Sequence, residues 1–152
     1  MLNMRMKMLI RNNYLDYSTP WSSPDVYLFT GNPCVNSKGE VVMGRGAALC
    51  VKTHYPQVGK LLAQQQQDYI RIVEIQPKQY IGWLQVKYHW ASSADLELIK
   101  KSFTKLRQLA KLKNAIIFHC NYPGIGCGGL SFNIVQKSLV KIGLPDNVIL
   151  YK

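Results

Sequence analysis

Apolar positions along the chain form short runs that alternate with amphipathic segments. Compact runs rich in β-branched and aromatic residues predict strands over residues 6–10, 26–29, 70–75, 80–86, 115–120 and 148–151. Helical spacing of apolar or small residues predicts helices over residues 45–54, 58–67, 96–113 and 132–142. Because strands and helices alternate, the pattern predicts an α/β fold, a three-layer α/β/α sandwich with a mixed central sheet.

The segment 96–113 has the clearest helical pattern. Residues 92–95 form a capping-box pattern, and the apolar residues that follow share one face: Leu96, Ile99, Phe103, Leu106 and Ala110. Basic residues occupy the other faces: Lys100, Lys101, Lys105, Arg107, Lys111 and Lys113. A solvated face is the simpler interpretation of these charges, because no aromatic residues interleave with them for base stacking. A stripe that faces nucleic acid is the alternative.

The run from Val26 to Phe29 lacks polar alternation, which favours a central strand that is buried on both faces. Asn32 follows the C-terminal end of this strand, where open α/β sheets bind ligands. Asn32 is therefore a candidate ligand-binding residue. An ordinary turn asparagine explains the same position equally well.

The stretch from Gly124 to Gly129 lies between a predicted strand and a predicted helix, and Ser131 is placed to cap that helix. Glycines let successive N–H groups converge on an anion, and a helix N-terminus adds free N–H groups and the positive end of its dipole. A turn that binds nothing is an equal alternative for this loop alone. A second loop of the same kind, from Met43 to Ala48, makes anion binding the better interpretation. The two loops together predict a diphosphate held between two helix N-termini.

Composition narrows the class of protein. A chain of 152 residues fits one domain, 1–152, and no run of apolar residues is long enough to span a membrane. Since the start has no signal-peptide pattern, we expect a cytoplasmic protein with no membrane partner. We also expect a monomer that uses no metal and no cofactor. The four cysteines have no CxxC spacing and are expected to be free thiols. A net charge of +11 favours anionic partners, with an inert basic surface as the alternative.

Three motifs follow one another in a fixed order along the chain. Residues 43–48, Met-Gly-Arg-Gly-Ala-Ala, are similar to the MGxGxA segment of macrodomains, and residues 123–128, Pro-Gly-Ile-Gly-Cys-Gly, to their PxIGCG phosphate loop. Residues 87–90, Lys-Tyr-His-Trp, resemble the KxHW segment of the DNA ADP-ribosylglycohydrolase antitoxins of the DarG type and of the related terminal ADP-ribose protein glycohydrolase. The chain therefore resembles this branch of the macrodomain family over nearly its whole length.

The resemblance implies a pocket for ADP-ribose or a related nucleotide, and ADP-ribosylated DNA as a partner. The ligand-binding residues that it implies are Asn13, Asn32, Met43, Gly44, Arg45, Gly46, Gly124, Ile125, Gly126, Cys127, Gly128 and Gly129. Asn13 falls where family members usually hold the adenine amine with an aspartate. An asparagine still accepts a hydrogen bond from the amine, but without the assistance of a charge.

The resemblance also implies catalysis. Lys87 falls where these glycohydrolases carry a lysine that attacks or polarises the anomeric carbon. Hydrolysis would use Lys87 alone or with a water positioned by His89, and a packed, hydrogen-bonded residue beside Trp90 is an equal alternative for His89. The protein glycohydrolase carries an acidic residue after its Gly-Cys-Gly segment, whereas residues 128–131 here contain no carboxylate. Three functions follow: an ADP-ribosyl glycohydrolase that uses Lys87, a reader or scavenger of ADP-ribose without turnover, and a basic nucleic-acid-binding protein.

Overall fold

A computed structural model describes residues 8–18 and 25–152. In this part of the chain six strands form one sheet in the order β1-β6-β5-β2-β4-β3. The strands are β1 (Leu9–Arg11), β2 (Val26–Gly31), β3 (Ile70–Gln76), β4 (Gln79–Gln85), β5 (Phe118–Asn121) and β6 (Val148–Tyr151). All neighbours pair in parallel except β3, which runs antiparallel to β4 at the sheet edge. The sheet is therefore mixed, as predicted, and the run that begins at Val26 forms a central strand.

Four helices cover the two faces of this sheet. They are α1 (Gly46–His54), α2 (Val58–Ala63), α3 (Leu96–Leu112) and α4 (Phe132–Ile142). One buried apolar cluster joins α3 and α4 to the sheet, and a second joins α1 and α2 to the opposite face. This arrangement confirms the predicted three-layer α/β/α sandwich. No helix in the described residues is both long and apolar enough to cross a membrane.

The helix α4 begins and ends where the sequence predicts. The Oγ of Ser131 accepts a hydrogen bond from the N–H of Ile134, and Gly143 ends the helix in the left-handed conformation at φ 74°. The start of α3 differs from the capping-box pattern, because its N-cap is Asp95, whose carboxylate accepts from the N–H of Leu98 at 3.1 Å. The predicted first strand, residues 6–10, lies partly outside the described residues.

The helix α2 is shorter than predicted because a buried arginine ends it. Arg71 on β3 donates from Nη1 to the carbonyl of Leu62 at 3.1 Å and from Nε to the carbonyl of Gln67 at 2.9 Å. Gln65 donates instead to the carbonyl of Ile72 at 2.8 Å. The glutamine run therefore leaves the helix, and the side chain of Gln65 bonds to the edge strand.

The strand β5 begins at Phe118 rather than at residue 115. The amide of Asn147 donates to three carbonyl oxygens, those of Ala110, Lys113 and Ile116, at 3.0, 3.3 and 2.9 Å. These bonds hold residues 113–117 in the turn that follows α3. Apolar character alone could not separate this turn from the strand that it precedes.

Candidate ligand-binding site

The carboxyl ends of the parallel strands meet at one edge of the sheet, and a cavity of about 940 Å³ opens there. The side chain of Asn121 joins two of these ends: its Oδ1 accepts from the N–H of Thr30 at 3.0 Å, and its Nδ2 donates to the Thr30 hydroxyl at 2.9 Å. Crevices of this kind, at the carboxyl edge of an open α/β sheet, are the usual ligand sites of such folds.

The first glycine loop, residues 43–48, leads directly into α1. Arg45 is the N-cap residue in extended conformation, and no side chain caps the helix. Within the described residues, the N–H groups of Gly46, Ala47 and Ala48 have no hydrogen-bond acceptor. A Cβ placed on Gly44 would meet nothing within 4 Å. The uncapped start of α1 therefore presents free N–H groups and the positive end of the helix dipole to the cavity.

The second glycine loop, residues 124–129, is organised by its own backbone. The N–H of Leu130 donates to the carbonyl of Gly124 at 2.8 Å, and the N–H of Gly129 to that of Gly126 at 3.2 Å. The N–H groups of Ile125, Gly126 and Cys127 have no acceptor among the described residues. Successive free N–H groups in such a turn form a concavity that attracts anions.

Three glycines of the second loop have different surroundings. A Cβ on Gly126 would meet nothing within 4 Å, whereas a Cβ on Gly128 would lie 2.6 Å from the Gly124 carbonyl oxygen and 2.8 Å from the Cβ of Ala94. Gly124 adopts φ 75°. Gly126 therefore faces open space, while Gly124 and Gly128 are required by the fold of the loop itself.

The two loops face each other across the cavity. A Cβ on Gly46 would lie 3.8 Å from the Sγ of Cys127, so the tip of the second loop approaches the start of α1. Three basic side chains also line the cavity, those of Arg45, Lys87 and Lys152, and the described lining contains no acidic side chain. Charge and free N–H groups thus favour a negatively charged ligand.

Lys87 is held at the end of β4 by its neighbours in the chain. The N–H of Val86 donates to the carbonyl of Gly31 at 3.0 Å, and the carbonyl of Val86 accepts from the N–H of Asp95 at 2.8 Å. The half-buried side chain of Lys87 lines the cavity, and its Nζ donates to the carbonyl oxygen of Trp90 at 3.0 Å. The backbone next to Lys87 and its side-chain amine are therefore both held in place beside the loops.

Asn32 is buried, and its side chain bonds to backbone groups. Its Nδ2 donates to the carbonyl of Val42 at 3.2 Å, and its Oδ1 accepts from the N–H of Cys34 at 2.9 Å. The indole N–H of Trp83 donates to the carbonyl of Asn32 at 3.1 Å, while the ring also contacts the guanidinium of Arg71, 4.7 Å from the ring centroid. Asn32 thus lines the cavity and also positions the segment that leads to the first loop.

Four of the residues that the sequence indicated lie outside the lining of the cavity. Asn13 is exposed and bonds to the neighbouring Tyr14 carbonyl at 3.3 Å, and Met43 is a core residue with 1% exposure. His89 is exposed and accepts from the N–H of Ala91 at 3.1 Å, and its ring lies tilted beside that of Trp90 with 5.2 Å between the centroids. Gly129 turns the chain at φ 77°. The other residues indicated, ten in number, do line the cavity: Asn32, Gly44, Arg45, Gly46, Lys87, Gly124, Ile125, Gly126, Cys127 and Gly128.

The sequence analysis missed the aromatic residues of the lining, and it also missed Asn121 and Lys152. The aromatic residues that line the cavity are Tyr14, Tyr17, Trp90, Tyr122 and Tyr151. Burial raises the pKa of Tyr122 to about 12 and also raises the pKa of Tyr151. The available signal was position, because Tyr122 directly follows β5, Tyr151 is the last residue of β6, and Trp90 follows Lys87 closely. Their aromatic character alone is equally typical of a core.

Comparison with solved structures identifies the fold. The macrodomain of Thermus aquaticus DarG superposes with a TM-score of 0.73 at 20% identity, covering 96% of this chain and 98% of that one. The macrodomain of Mycobacterium tuberculosis DarG gives 0.71 at 21% identity, covering 95% and 98%. Thermosipho africanus DarTG in complex with ADP-ribose gives 0.61 at 20% identity, covering 82% of this chain and 37% of that one.

Sequence comparison adds no further relative. No protein-family model matches the chain, and no curated protein sequence matches it. At identities near 20% the structural likeness establishes the fold and leaves the activity to be argued from the site. The resemblance to macrodomains is confirmed at this level, since the chain has the macrodomain fold.

Proposed function

We propose that the protein binds ADP-ribose, or the ADP-ribosyl group of a modified substrate, in the cavity at the carboxyl edge of the sheet. The observation that carries this proposal is the opposition of two sets of free N–H groups, at the start of α1 and in residues 125–127. Two anion sites that face each other suit a diphosphate, and a cavity of about 940 Å³ leaves room for a nucleoside and a ribose as well. The ADP-ribose complex of a protein with the same fold supports this choice.

Calorimetric titration with ADP-ribose tests the binding. We expect saturable heat and a rise in Tm that grows with ligand concentration, because a ligand that binds only the folded state stabilises it. Inorganic diphosphate and AMP are the comparison ligands, and each should bind more weakly than ADP-ribose because each fills only part of the cavity. No heat and no thermal shift at millimolar ADP-ribose would reject the proposal.

We further propose that Lys87 makes the protein an ADP-ribosyl glycohydrolase. Its amine, when neutral, would form a bond to the anomeric carbon as the bond to the leaving group breaks, and water would then release ADP-ribose and restore the amine. The Trp90 carbonyl that accepts from Nζ can hold the amine in either protonation state. A lysine at a strand end that lines a cavity is also hard to explain as a core residue.

Two substitutions at Lys87 separate chemistry from binding. Lys87→Ala should remove turnover of an ADP-ribosylated substrate, on a DNA base or an acidic side chain, and retain most of the affinity for ADP-ribose. Lys87→Arg keeps the charge but has no nucleophilic amine at neutral pH, so it should also be inactive if the lysine attacks. If Lys87→Arg is active and Lys87→Ala is not, the lysine acts by its charge. If Lys87→Ala matches the wild type on every linkage, Lys87 is not catalytic.

A reader or scavenger of ADP-ribose is the second candidate function. One observation favours it: the described lining has no acidic side chain that could carry protons during turnover. In this case ADP-ribose binds, but no linkage is cleaved by the wild type. A single assay with labelled substrate, which measures bound and released ADP-ribose together, distinguishes a reader from an enzyme.

The basic composition bears on the substrate. With a net charge of +11, the protein should bind a single-stranded ADP-ribosylated oligonucleotide more tightly than free ADP-ribose. The logarithm of this affinity should fall with the logarithm of the salt concentration, with a slope of roughly −0.7 per neutralised phosphate. A protein that only binds nucleic acid would show the same slope without any gain from the modification. Equal affinity for modified and unmodified oligonucleotide would therefore reject modified DNA as the substrate.

A further inference from the structure

A second hollow in the protein surface lies between α3 and the turn that precedes β3. Its volume is about 270 Å³, and three lysines of α3 line it together with one aromatic side chain: Lys100, Lys101, Lys105 and Tyr69. Tyr69 is distant from α3 in the sequence and reaches it only in the folded chain. This hollow, the α3 groove, therefore combines positive charge with an aromatic ring.

The charge of the α3 groove is positive. Glu97, which also lines the groove, pairs with Lys100, with 2.8 Å between Oε1 and Nζ. Lys101 and Lys105 are exposed, and neither has an acidic partner within salt-bridge distance among the described residues. Because these two lysines are four residues apart on one helix, their like charges lie side by side and repel each other. An anion bound between them would remove this repulsion.

Tyr69 is held in the groove by an unusual backbone conformation. The N–H of Ile70 donates to the carbonyl of Asp68 at 2.9 Å, which closes a three-residue turn in which Tyr69 adopts φ 73°. Gln85 holds both backbone groups of Tyr69: its Oε1 accepts from the Tyr69 N–H at 3.3 Å, and its N–H donates to the Tyr69 carbonyl at 2.9 Å. Left-handed φ is strained for a bulky residue, and glycine would relieve the strain. A tyrosine at such a position points to a use for its half-buried ring.

The α3 groove lies at the same end of β4 as Lys87. Gln85, which bonds to Tyr69, is the last residue of β4 and stands two residues before Lys87. The Oγ of Ser102 donates to the carbonyl of Gln85 at 2.6 Å, and Ser102 is next to Lys101 on α3. Two residues of extended chain cover about 7 Å. A ligand whose reacting group lies beside Lys87 can thus extend into the α3 groove.

The two kinds of side chain in the α3 groove indicate its partner. Lysines bind the phosphate oxygens of a nucleic-acid backbone, and an aromatic ring stacks on a base whose face is open. Because the bases of a duplex are already stacked on one another, the ring favours a single strand. The helix α3 has no exposed aromatic residue among its own lysines, which made a solvated face the simpler interpretation of its sequence. Tyr69 supplies the missing ring from another element.

We propose that the α3 groove binds a single strand of nucleic acid, the strand to which the ADP-ribosyl group in the cavity is attached. Lys101 and Lys105 contact its phosphates, and the ring of Tyr69 stacks on one of its bases. This inference rests on the proposed function. It adds to that function the surface that selects an ADP-ribosyl group on nucleic acid over one on a protein.

The double substitution Lys101→Gln and Lys105→Gln tests the phosphate contacts. The probe is an unmodified single-stranded oligonucleotide of about ten nucleotides, a length that one such groove can hold, followed by fluorescence anisotropy over a series of salt concentrations. At low salt the affinity should fall about three- to ten-fold. The logarithmic salt slope should become shallower by roughly 1.4, or roughly 0.7 for each of two phosphate contacts.

Lys137→Gln with Lys141→Gln is the matched control. These lysines of α4 are also exposed and four residues apart, and they lie outside the cavity and the α3 groove. This control should keep its affinity for the oligonucleotide within about two-fold of the wild type, with an unchanged slope. Both double variants should keep their affinity for free ADP-ribose. Equal losses of oligonucleotide affinity in the two variants would show that only net charge matters and would overturn the proposal.

Tyr69→Ala tests the stacking contact. Its affinity for the oligonucleotide should fall about ten-fold at every salt concentration, the scale of one stacked base, and its salt slope should stay that of the wild type. Tyr69→Phe keeps the ring and should stay within about two-fold. Calorimetric titration with free ADP-ribose checks that each variant retains the cavity. If Tyr69→Phe loses as much as Tyr69→Ala, the hydroxyl rather than the ring makes the contact and the stacking is rejected.

The two probes separate this inference from the proposed function. If the wild type binds ADP-ribose but no oligonucleotide, the inference is overturned while the proposed function stands. If oligonucleotide binding depends on the α3 groove but ADP-ribose does not bind, the proposed function fails and the groove is a nucleic-acid site in its own right.

Discussion

The two glycine loops look alike in sequence, yet they offer N–H groups to the cavity in different ways. The first loop leads into α1, whose N-terminus has no side-chain cap. The second leads to α4, whose N-terminus is capped by Ser131. An anion at the first loop therefore meets the start of a helix, whereas an anion at the second meets the loop backbone around Gly126.

The comparison teaches that glycine content alone does not identify an anion site. Each loop has a glycine whose Cβ direction is open, Gly44 in the first and Gly126 in the second. Gly46 and Gly124 serve the backbone, with φ values of 55° and 75°. The ligand-facing and the structural glycines can be told apart only by their surroundings, and substitution should separate the two kinds.

The largest expected effect on binding comes from Gly126→Leu. Its new side chain would enter the space that a phosphate needs, and we expect affinity for ADP-ribose to fall about 100-fold or more, since several hydrogen bonds to a charged group are lost. Stability should change by less than about 0.5 kcal/mol, because a Cβ here meets nothing within 4 Å. Titration and urea unfolding measure the two quantities. A large loss of stability would contradict the assignment of Gly126 as ligand-facing.

Gly128→Ala, in the same loop, should have the reverse profile. Its Cβ would lie 2.6 Å from the Gly124 carbonyl oxygen and 2.8 Å from the Ala94 Cβ, so the loop must shift. We expect a loss of about 1–3 kcal/mol in the free energy of unfolding, measured by urea unfolding, and weaker binding as a consequence. A variant as stable as the wild type would show that the loop adapts easily and that the glycines cannot be divided in this way.

Arg45→Gln tests the electrostatic share of the first loop. The exposed guanidinium lies beside the uncapped start of α1, so its loss should weaken ADP-ribose binding about two- to five-fold, with a larger effect at low salt. Lys38→Gln removes the same charge from an exposed turn outside the cavity lining and should leave the affinity unchanged. Equal effects of the two variants would mean that only net charge matters.

The smallest effect on binding is expected for Ser131→Ala. Loss of the N-cap bond to Ile134 should lower the free energy of unfolding by about 1 kcal/mol. The affinity for ADP-ribose should stay within about two-fold, because the serine, and not the ligand, satisfies the start of α4. Thermal unfolding and titration measure both. A clear loss of affinity would indicate that α4 contributes to the anion site and that the two loops work alike.

Much of the fold could be predicted from the sequence because its signals are local. Apolar spacing, Ser131 and Gly143 define α4 at both ends, and the unbroken apolar run from Val26 predicts a strand between two others. Element ends that depend on distant side chains could not be predicted. Arg71 ends α2 and Asn147 delays β5, and neither effect is visible in the residues of the affected element.

The candidate site shows the same division. The sequence motifs indicated Gly44, Lys87 and Gly126, and all three line the same cavity. Their place in the structure follows from the backbone positions at the ends of the strands. His89 and Asn13 lie outside the lining, because side-chain direction in a loop depends on contacts that the sequence does not display. The hydroxyl of Tyr122 has no hydrogen-bond partner among the described residues, and the sequence could not show this either, because it depends on how the core packs.

The buried indole of Trp83 has a consequence for the energetics of ligand capture. The indole donates to the Asn32 carbonyl, and the guanidinium of Arg71 covers the indole ring. These contacts hold the chain between β2 and the first glycine loop in place once the protein has folded. A Cβ on Gly31, the residue before Asn32, would lie 2.8 Å from Nε1 of Trp83, so a larger residue would not fit at position 31. Because this order exists before a ligand arrives, association does not have to freeze the segment, and less binding free energy is lost to conformational entropy.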